Sequence, residues 1–239
     1  AERAGDIVVI AGNNQRKADY LARAVEAGFD VLGDKPMAID AAGFAALERT
    51  FARARENGVL LHDIMTERHE ITTMLQKAFS TIAPLFGTLL AGTADEPAVT
   101  KESVHHFAKL VSGAPIKRPA WFFDVAQQGE GLVDITTHLV DLVQWECFPE
   151  AILDYADIEI LAAKRWPTIL SRAEFERVTQ LADFPGFLRQ YVRPDGMLHV
   201  YANGEILYRL RGVCAKVSVR WDFEAPAGAG DTHFSVMRG

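Results

Sequence analysis

Val31-Leu32-Gly33-Asp34-Lys35-Pro36 carries a short apolar run onto a lysine that a proline follows at once. Outward from it, the chain alternates between two hydrophobic periods. Residues 6–11 read as a buried parallel strand, continuously apolar from Ile7 to Ala11 after Asp6. Residues 17–27 have a helical period, with Tyr20, Leu21, Ala24 and Val25 on one side and Gly28 as the stop. Residues 29–32 read as a second short strand. Downstream, Asp40 has the side chain of an N-cap. The helix it opens turns Phe44, Leu47, Phe51 and Ala54 inward before Asn57-Gly58 ends it. Residues 59–64 make a third strand. Strand, helix, strand, helix, strand with short loops implies right-handed crossovers and a parallel sheet. Ligands of such sheets bind at the carboxyl ends of the strands, and Lys35 stands at one of them.

After residue 66 the pattern changes. A helix is expected over 69–79. Residues 85–124 read as strands with loops and one helix near 101–111. Further helices are expected over 131–147 and near 171–182, the second inside a polar, proline-punctuated region. The last third is β-rich. Residues 197–202 and 205–210 flank Asn203-Gly204, a two-residue type I′ hairpin signal. Residues 213–223 alternate through Val217, Val219 and Trp221. The expected fold class is α/β, a parallel sheet over 1–66 followed by an α+β domain with a mainly antiparallel sheet over 67–239.

About a hundred residues after Lys35 stands Gly131-Leu132-Val133-Asp134-Ile135-Thr136-Thr137-His138. Asp134 and His138 are one helical turn apart and leave the same face. A lysine, an aspartate and a histidine from distant segments suit the transfer of a hydroxyl proton. The bulk numbers narrow the field. With a net charge of −7 over 239 residues, nucleic acid and anionic membranes are poor partners. No apolar run approaches the roughly 18 residues of a membrane span. Cys147 and Cys214 are too few for a disulfide framework and fit a reduced compartment.

The order and flanks of these segments resemble the glucose–fructose oxidoreductase / inositol dehydrogenase (Gfo/Idh/MocA) family. Its Glu-Lys-Pro after a strand is matched by Asp34-Lys35-Pro36, and its Gly-rich turn into Asp-x-x-x-His by Gly129-Glu130-Gly131 through Asp134 and His138. Ile7-Val8-Val9-Ile10-Ala11-Gly12-Asn13-Asn14 looks like the family's fourth Rossmann strand and the loop after it. The likeness runs from about residue 6 to residue 148. It implies the C-terminal half of a Rossmann-type sheet in 1–66 and a substrate-binding and oligomerisation domain in 67–239. Three departures stand out: Asn13 replaces a usual proline, Lys17 a usual histidine and Asp34 a usual glutamate. No Gly-x-Gly-x-x-Gly lies between a strand and a helix, and a strand begins by residue 6. The chain therefore reads as a fragment lacking the N-terminal part of the Rossmann domain, inactive by itself.

The resemblance implies an oxidoreductase that moves a hydride between NAD or NADP and a sugar, polyol or related hydroxylated substrate. Lys35, Asp134 and His138 are the expected catalytic residues: His138 handles the hydroxyl proton, Lys35 favours the developing oxygen charge and Asp134 orients substrate or imidazole. Asn13, Asn14, Asp34 and Lys35 are expected beside the cofactor, and Arg68, Asp231 and His233 near the substrate. Asp134 and His138 also have metal-ligand spacing, with His62 or Asp63 as a third, but no His- or Cys-rich cluster supports it and no metal is expected. His105 and His106 are expected on opposite faces rather than in one site. Rival readings are an NAD-using glycoside hydrolase of the same superfamily and a non-catalytic assembly subunit. A cytoplasmic homo-oligomer, joined through its antiparallel sheet, completes the expectation.

Overall fold

Apolar runs separated by one amphipathic helix each can pair only in parallel, and the first unit does so. The computed structural model describes residues 5–239. β1 (Ile7–Ile10), α1 (Lys17–Glu26), β2 (Asp30–Asp34), α2 (Ala41–Asn57) and β3 (Leu61–Ile64) follow in order, and the sheet is β1-β2-β3, parallel throughout. Leu21 and Val25 of α1 are fully buried with Val31, Met37, Ala54 and Leu61. Asp40 caps α2 as expected, accepting from the Gly43 N–H at 2.6 Å, and Gly58 closes the helix at φ +66°. Three expectations are corrected. Tyr20 and Phe44 lie outside the core, and β1 is half-buried on one face and open on the other, with Ile7 and Val9 62% and 64% exposed. An edge strand alternates where a central one does not.

The rest of the chain runs through α3 (Ile71–Ser80), α4 (Ala83–Phe86), β4 (Val99–Ala108), β5 (Leu110–Val111), β6 (Ala114–Pro115), α5 (Val125–Gln128), α6 (Gly131–Cys147), β7 (Ile158–Leu170), α7 (Arg172–Thr179), β8 (Leu198–Leu210), β9 (Val213–Glu224) and β10 (Thr232–Met237). Residues through Met65 together with Ala120–Asp134 form the first compact unit; Thr66–Pro119 and Ile135–Gly239 form the second. The segment 120–134, read from sequence as part of the second domain, thus belongs to the first. α6 starts in one unit and continues in the other.

The second unit is built on a five-stranded sheet of order β10-β4-β9-β8-β7, antiparallel except for the β4–β9 pair. Val99, Phe107, Leu198, Leu210 and Val217 are fully buried in it. Two expectations fail here. The helix near 101–111 is strand β4, a central strand hydrogen-bonded on both sides. The Asn203-Gly204 hairpin does not form, and β8 runs straight through it. Asn203 is 2% exposed and its side chain joins three strands. Its Nδ2 donates to the Trp166 carbonyl (3.1 Å) and Thr168 Oγ1 (2.9 Å), where the β7 register shifts, and its Oδ1 accepts from the Trp221 N–H (2.7 Å). The chain reverses instead at Arg211-Gly212, with φ of +49° and +86°. Two successive positive φ values are what a type I′ turn needs.

Candidate functional site

β2 delivers Asp34 and Lys35 to the carboxyl end of the parallel sheet. Lys35 Nζ donates to Asp134 Oδ1 at 2.9 Å and, in a very short contact, to the Asp134 carbonyl. The two side chains are 12% and 18% exposed, so the pair is largely shielded from solvent. Residues 99 apart in sequence therefore meet. His138 follows one turn after Asp134 on α6, buried, and belongs to the second unit.

At the end of β1, Asn13 and Asn14 are held by the pair of glutamines that closes α5. Asn13 Nδ2 donates to Gln127 Oε1 (3.1 Å), and Asn14 Nδ2 donates to the Gln128 carbonyl (2.9 Å) and Oε1 (3.2 Å). The Asn14 N–H donates to the Gln127 carbonyl at 3.0 Å. Asn14 Oδ1 is buried and accepts no hydrogen bond among the described residues. A buried acceptor at a strand end is suited to an external N–H. After these contacts Gly129 turns the chain into α6. Its φ is +90°, and a Cβ there would stand 2.9 Å from Ile39 Cγ2. Only glycine fits both demands.

Beneath Lys35 lies a second amine. Lys17 is 1% exposed, and its Nζ donates to the Asp34 carbonyl at 2.9 Å. Burial lowers its pKa; Asp34 opposes that shift, Lys35 adds to it, and Asp63 and Asp134 oppose it. Sequence reasoning noted Lys17 only as a departure from a family pattern. A signal was available, because Lys17 opens the i, i+4, i+8 series that continues through Leu21 and Val25. A lysine in the apolar stripe of a helix is either misplaced or held by something. Gln127 and Gln128 gave no such sign.

The remaining candidates lie in the second unit. Arg68 grips the Asp141 carboxylate with two nitrogens, Nε at 2.7 Å from Oδ2 and Nη2 in a still closer contact with Oδ1. Asp231 is not on an outer surface strand's free face but at the centre of a network. Its Oδ2 pairs with His105 Nδ1 (2.9 Å) and with Lys109 Nζ, and its Oδ1 with His106 Nδ1 (3.2 Å). Burial would raise its pKa, but these donors hold it well below the usual carboxylate range. His105 and His106 therefore share one carboxylate, against the expectation that they serve separate faces. His233 Nδ1 lies 3.2 Å from Ser103 Oγ. Lys101 and Glu146 form a buried pair, Nζ at 2.7 and 2.5 Å from the two oxygens, with Gln76 Oε1 a third acceptor at 2.8 Å. Next to it, burial pushes the half-buried Cys147 thiol up to about 12. No group of three His, Cys, Asp or Glu side chains among the described residues is arranged to hold a metal ion.

Residues 75–239 match the family model described as "Putative oxidoreductase C terminal domain". The chain belongs to that oxidoreductase family. A solved "putative oxidoreductase" from Parabacteroides merdae is 54% identical over 99% of this chain, with a TM-score of 0.92, and 54% of its own length is covered. Two more distant structures share the fold. A "putative myo-inositol dehydrogenase" from Sinorhizobium meliloti is 15% identical (TM-score 0.61; 97% of this chain, 55% of that one). The WlbA dehydrogenase from Bordetella pertussis, in complex with NADH and UDP-GlcNAcA, is also 15% identical (TM-score 0.58; 97% and 53%). The chain thus spans about half the length of the solved structures it matches. None of the curated proteins compared matches it. These dehydrogenase structures share the fold that the likeness in the Asp34-Lys35-Pro36 and Asp134/His138 segments implied. Among the described residues, no helix is long and apolar enough to cross a membrane.

Proposed function

We propose that the whole protein oxidises or reduces a hydroxylated carbon of a sugar or polyol with NAD or NADP. The observation that carries this reading is the Lys35–Asp134 pair at the carboxyl end of β2. Asn13, Asn14, Asp34 and Lys35 would flank the nicotinamide, the buried Asn14 Oδ1 being the acceptor that fits a carboxamide N–H. The cofactor, when bound, supplies acceptance or release of the hydride. The chain's own residues do the rest. Asp134 fixes the Lys35 ammonium, whose charge favours alkoxide character on the substrate oxygen. His138 takes or returns the hydroxyl proton. Arg68, Asp231 and His233 are carried forward as substrate contacts. The 239 residues hold no glycine-rich pyrophosphate turn, so we expect this stretch by itself to bind NAD or NADP weakly. Exposed Ile160, Ile169 and Trp166 on β7 support a homo-oligomer through the sheet.

The test is turnover of NAD+ and NADP+ with a panel of sugars and polyols in the whole enzyme. Lys35→Met should lower kcat per folded molecule by about 10²–10³, alongside a lower melting temperature from the shielded Asp134 carboxylate left without its partner. His138→Ala should be comparably slow and lose the histidine limb of the pH profile. A Lys35→Met variant with normal turnover per folded molecule would remove the reading. Release of an aryl alcohol from an aryl glycoside with no net redox change would replace it by the glycosidase alternative.

A further inference from the structure

Parallel pairing decides which backbone groups of β2 need a partner. In a parallel ladder one residue turns both its backbone groups to one neighbouring strand, and the next residue turns them to the other. The Asp30 N–H donates to the Asp6 carbonyl on the β1 side, and the Val31 N–H donates to the Leu60 carbonyl on the β3 side. Asp34, four residues after Asp30, therefore turns its carbonyl toward β1. But β1 ends at Ile10, opposite Gly33, and the chain swings away at Gly12 with φ of +96°. The last carbonyl of β2 thus faces a gap in the ladder. Lys17 Nζ fills it, donating at 2.9 Å.

Packing explains the reach. A Cβ on Gly33 would stand 3.1 Å from Leu21 Cδ2, so α1 lies close against β2. The crossover helix runs back along the sheet, and Lys17, one turn before Leu21, falls further along β2 than Gly33 does. The Lys17 N–H also donates to the Asn14 carbonyl at 3.1 Å. One residue therefore ties the loop of Asn13 and Asn14 to the peptide that carries Lys35.

The contact comes at an energetic cost. Lys17 is almost fully enclosed, burial lowers its pKa, and the Asp34, Asp63 and Asp134 carboxylates offset only part of that. A leucine would continue the stripe of Leu21 and Val25 without burying a charge. The ammonium adds a charge-assisted bond, stronger than a neutral donor would make. Its acceptor belongs to the planar Asp34–Lys35 peptide, so holding that oxygen fixes the plane from which the Lys35 side chain departs. Lys35 must leave in one direction to meet Asp134 Oδ1 at 2.9 Å.

We propose that Lys17 is a positioning residue, which holds the Asp34–Lys35 peptide so that the Lys35 ammonium is aimed at Asp134, a role that rests on the reading of Lys35 given above. Lys17 acts through Lys35 and needs no contact with substrate or cofactor. Without it the Asp34 carbonyl loses its donor, the peptide plane is free to rock, and Lys35 Nζ spreads over several positions. A misplacement of about 1 Å in such a group costs up to roughly 10²-fold in rate.

The whole enzyme, labelled with ¹⁵N in its lysine side chains and ¹³C at its carbonyls, gives a test that needs no turnover. In the unaltered protein a scalar coupling across the hydrogen bond should join the Lys17 ammonium nitrogen to the Asp34 carbonyl carbon. Lys17→Met should move the Lys35 ammonium resonance and speed the exchange of its protons with water. A missing coupling overturns the contact, whether or not any variant folds. A Lys35 resonance unmoved in folded Lys17→Met overturns the positioning. The second arm is kcat per folded molecule, with NAD+ and whichever sugar or polyol of the panel turns over fastest. Lys17→Met should be slower by about 10- to 10²-fold, with the KM for NAD+ changed by less than about twofold. In a Lys35→Met background the same change should slow kcat no further. Losses that multiply in the double variant would show Lys17 acting independently of Lys35 and overturn the proposal. Normal turnover by Lys35→Met would instead remove the Lys35 reading on which it rests.

Discussion

Removing Lys101 alone should cost the second unit far more than removing Lys101 and Glu146 together. The two side chains are 3% and 0% exposed and touch at 2.5 Å, so neither charge has water to fall back on. Burial lowers the Lys101 pKa and raises that of Glu146, and in each case the partner's opposite charge only partly offsets it. Desolvation outweighs attraction, as buried pairs often have it. Lys101→Met leaves a buried carboxyl without its counter-ion, at a cost of about 3–5 kcal/mol. At roughly 2–4 °C per kcal/mol for a unit of this size, the melting temperature should fall by about 6–20 °C. The double variant Lys101→Met/Glu146→Leu should recover most of that. The pH dependence has a definite sign. Without Lys101 the Glu146 carboxyl rises further above its usual value of 4.5. The folded protein then keeps a proton that the unfolded chain has released. Stability of Lys101→Met should therefore be greatest below that value and fall as pH rises toward the folded pKa, by up to about 1.4 kcal/mol per pH unit. Urea melts of the three proteins across pH are the assay. Equal losses in the single and double variants, or a flat pH profile for Lys101→Met, would show that packing volume rather than charge sets the cost.

Asn203→Ala should destabilise by about 2–4 kcal/mol, since it removes three hydrogen bonds and orphans the buried Trp221 N–H, and the loss should appear as a lower urea midpoint. Gly129→Ala should lower the melting temperature through both its φ of +90° and its contact with Ile39; adding Ile39→Ala should restore only the contact part, and full restoration would mean the backbone term is negligible.

The parallel unit was legible because its code is local. Apolar runs, an aspartate cap and two glycine stops specify each element without distant help, and Lys35 at a strand end follows from them. β4 was not legible for the opposite reason. Lys101, Ser103, His105 and His106 look like a helix's polar residues until Glu146, Asp231 and His233, more than forty residues away, are seen to hold them. Asn203-Gly204 misled because its side chain bonds outward to β7 and β9 rather than back to its own turn. Within the candidate site, the Lys35–Asp134 meeting could be inferred from two motifs, whereas Lys17 and the two glutamines acquire meaning only through the carbonyls and amides they face.

Both native thiols should react slowly. Burial pushes the Cys147 thiol to about 12 and raises that of Cys214, which is fully enclosed in β9. Thiolate is the reactive form, so at neutral pH neither should take up a maleimide while the second unit stays folded. A cysteine introduced at an exposed position such as Glu159 could therefore carry a dye or spin label as the sole adduct, with both natural cysteines left in place. Conversely, the slow labelling of Cys147 and Cys214 becomes a clock for the opening of that unit, readable by mass without any probe attached.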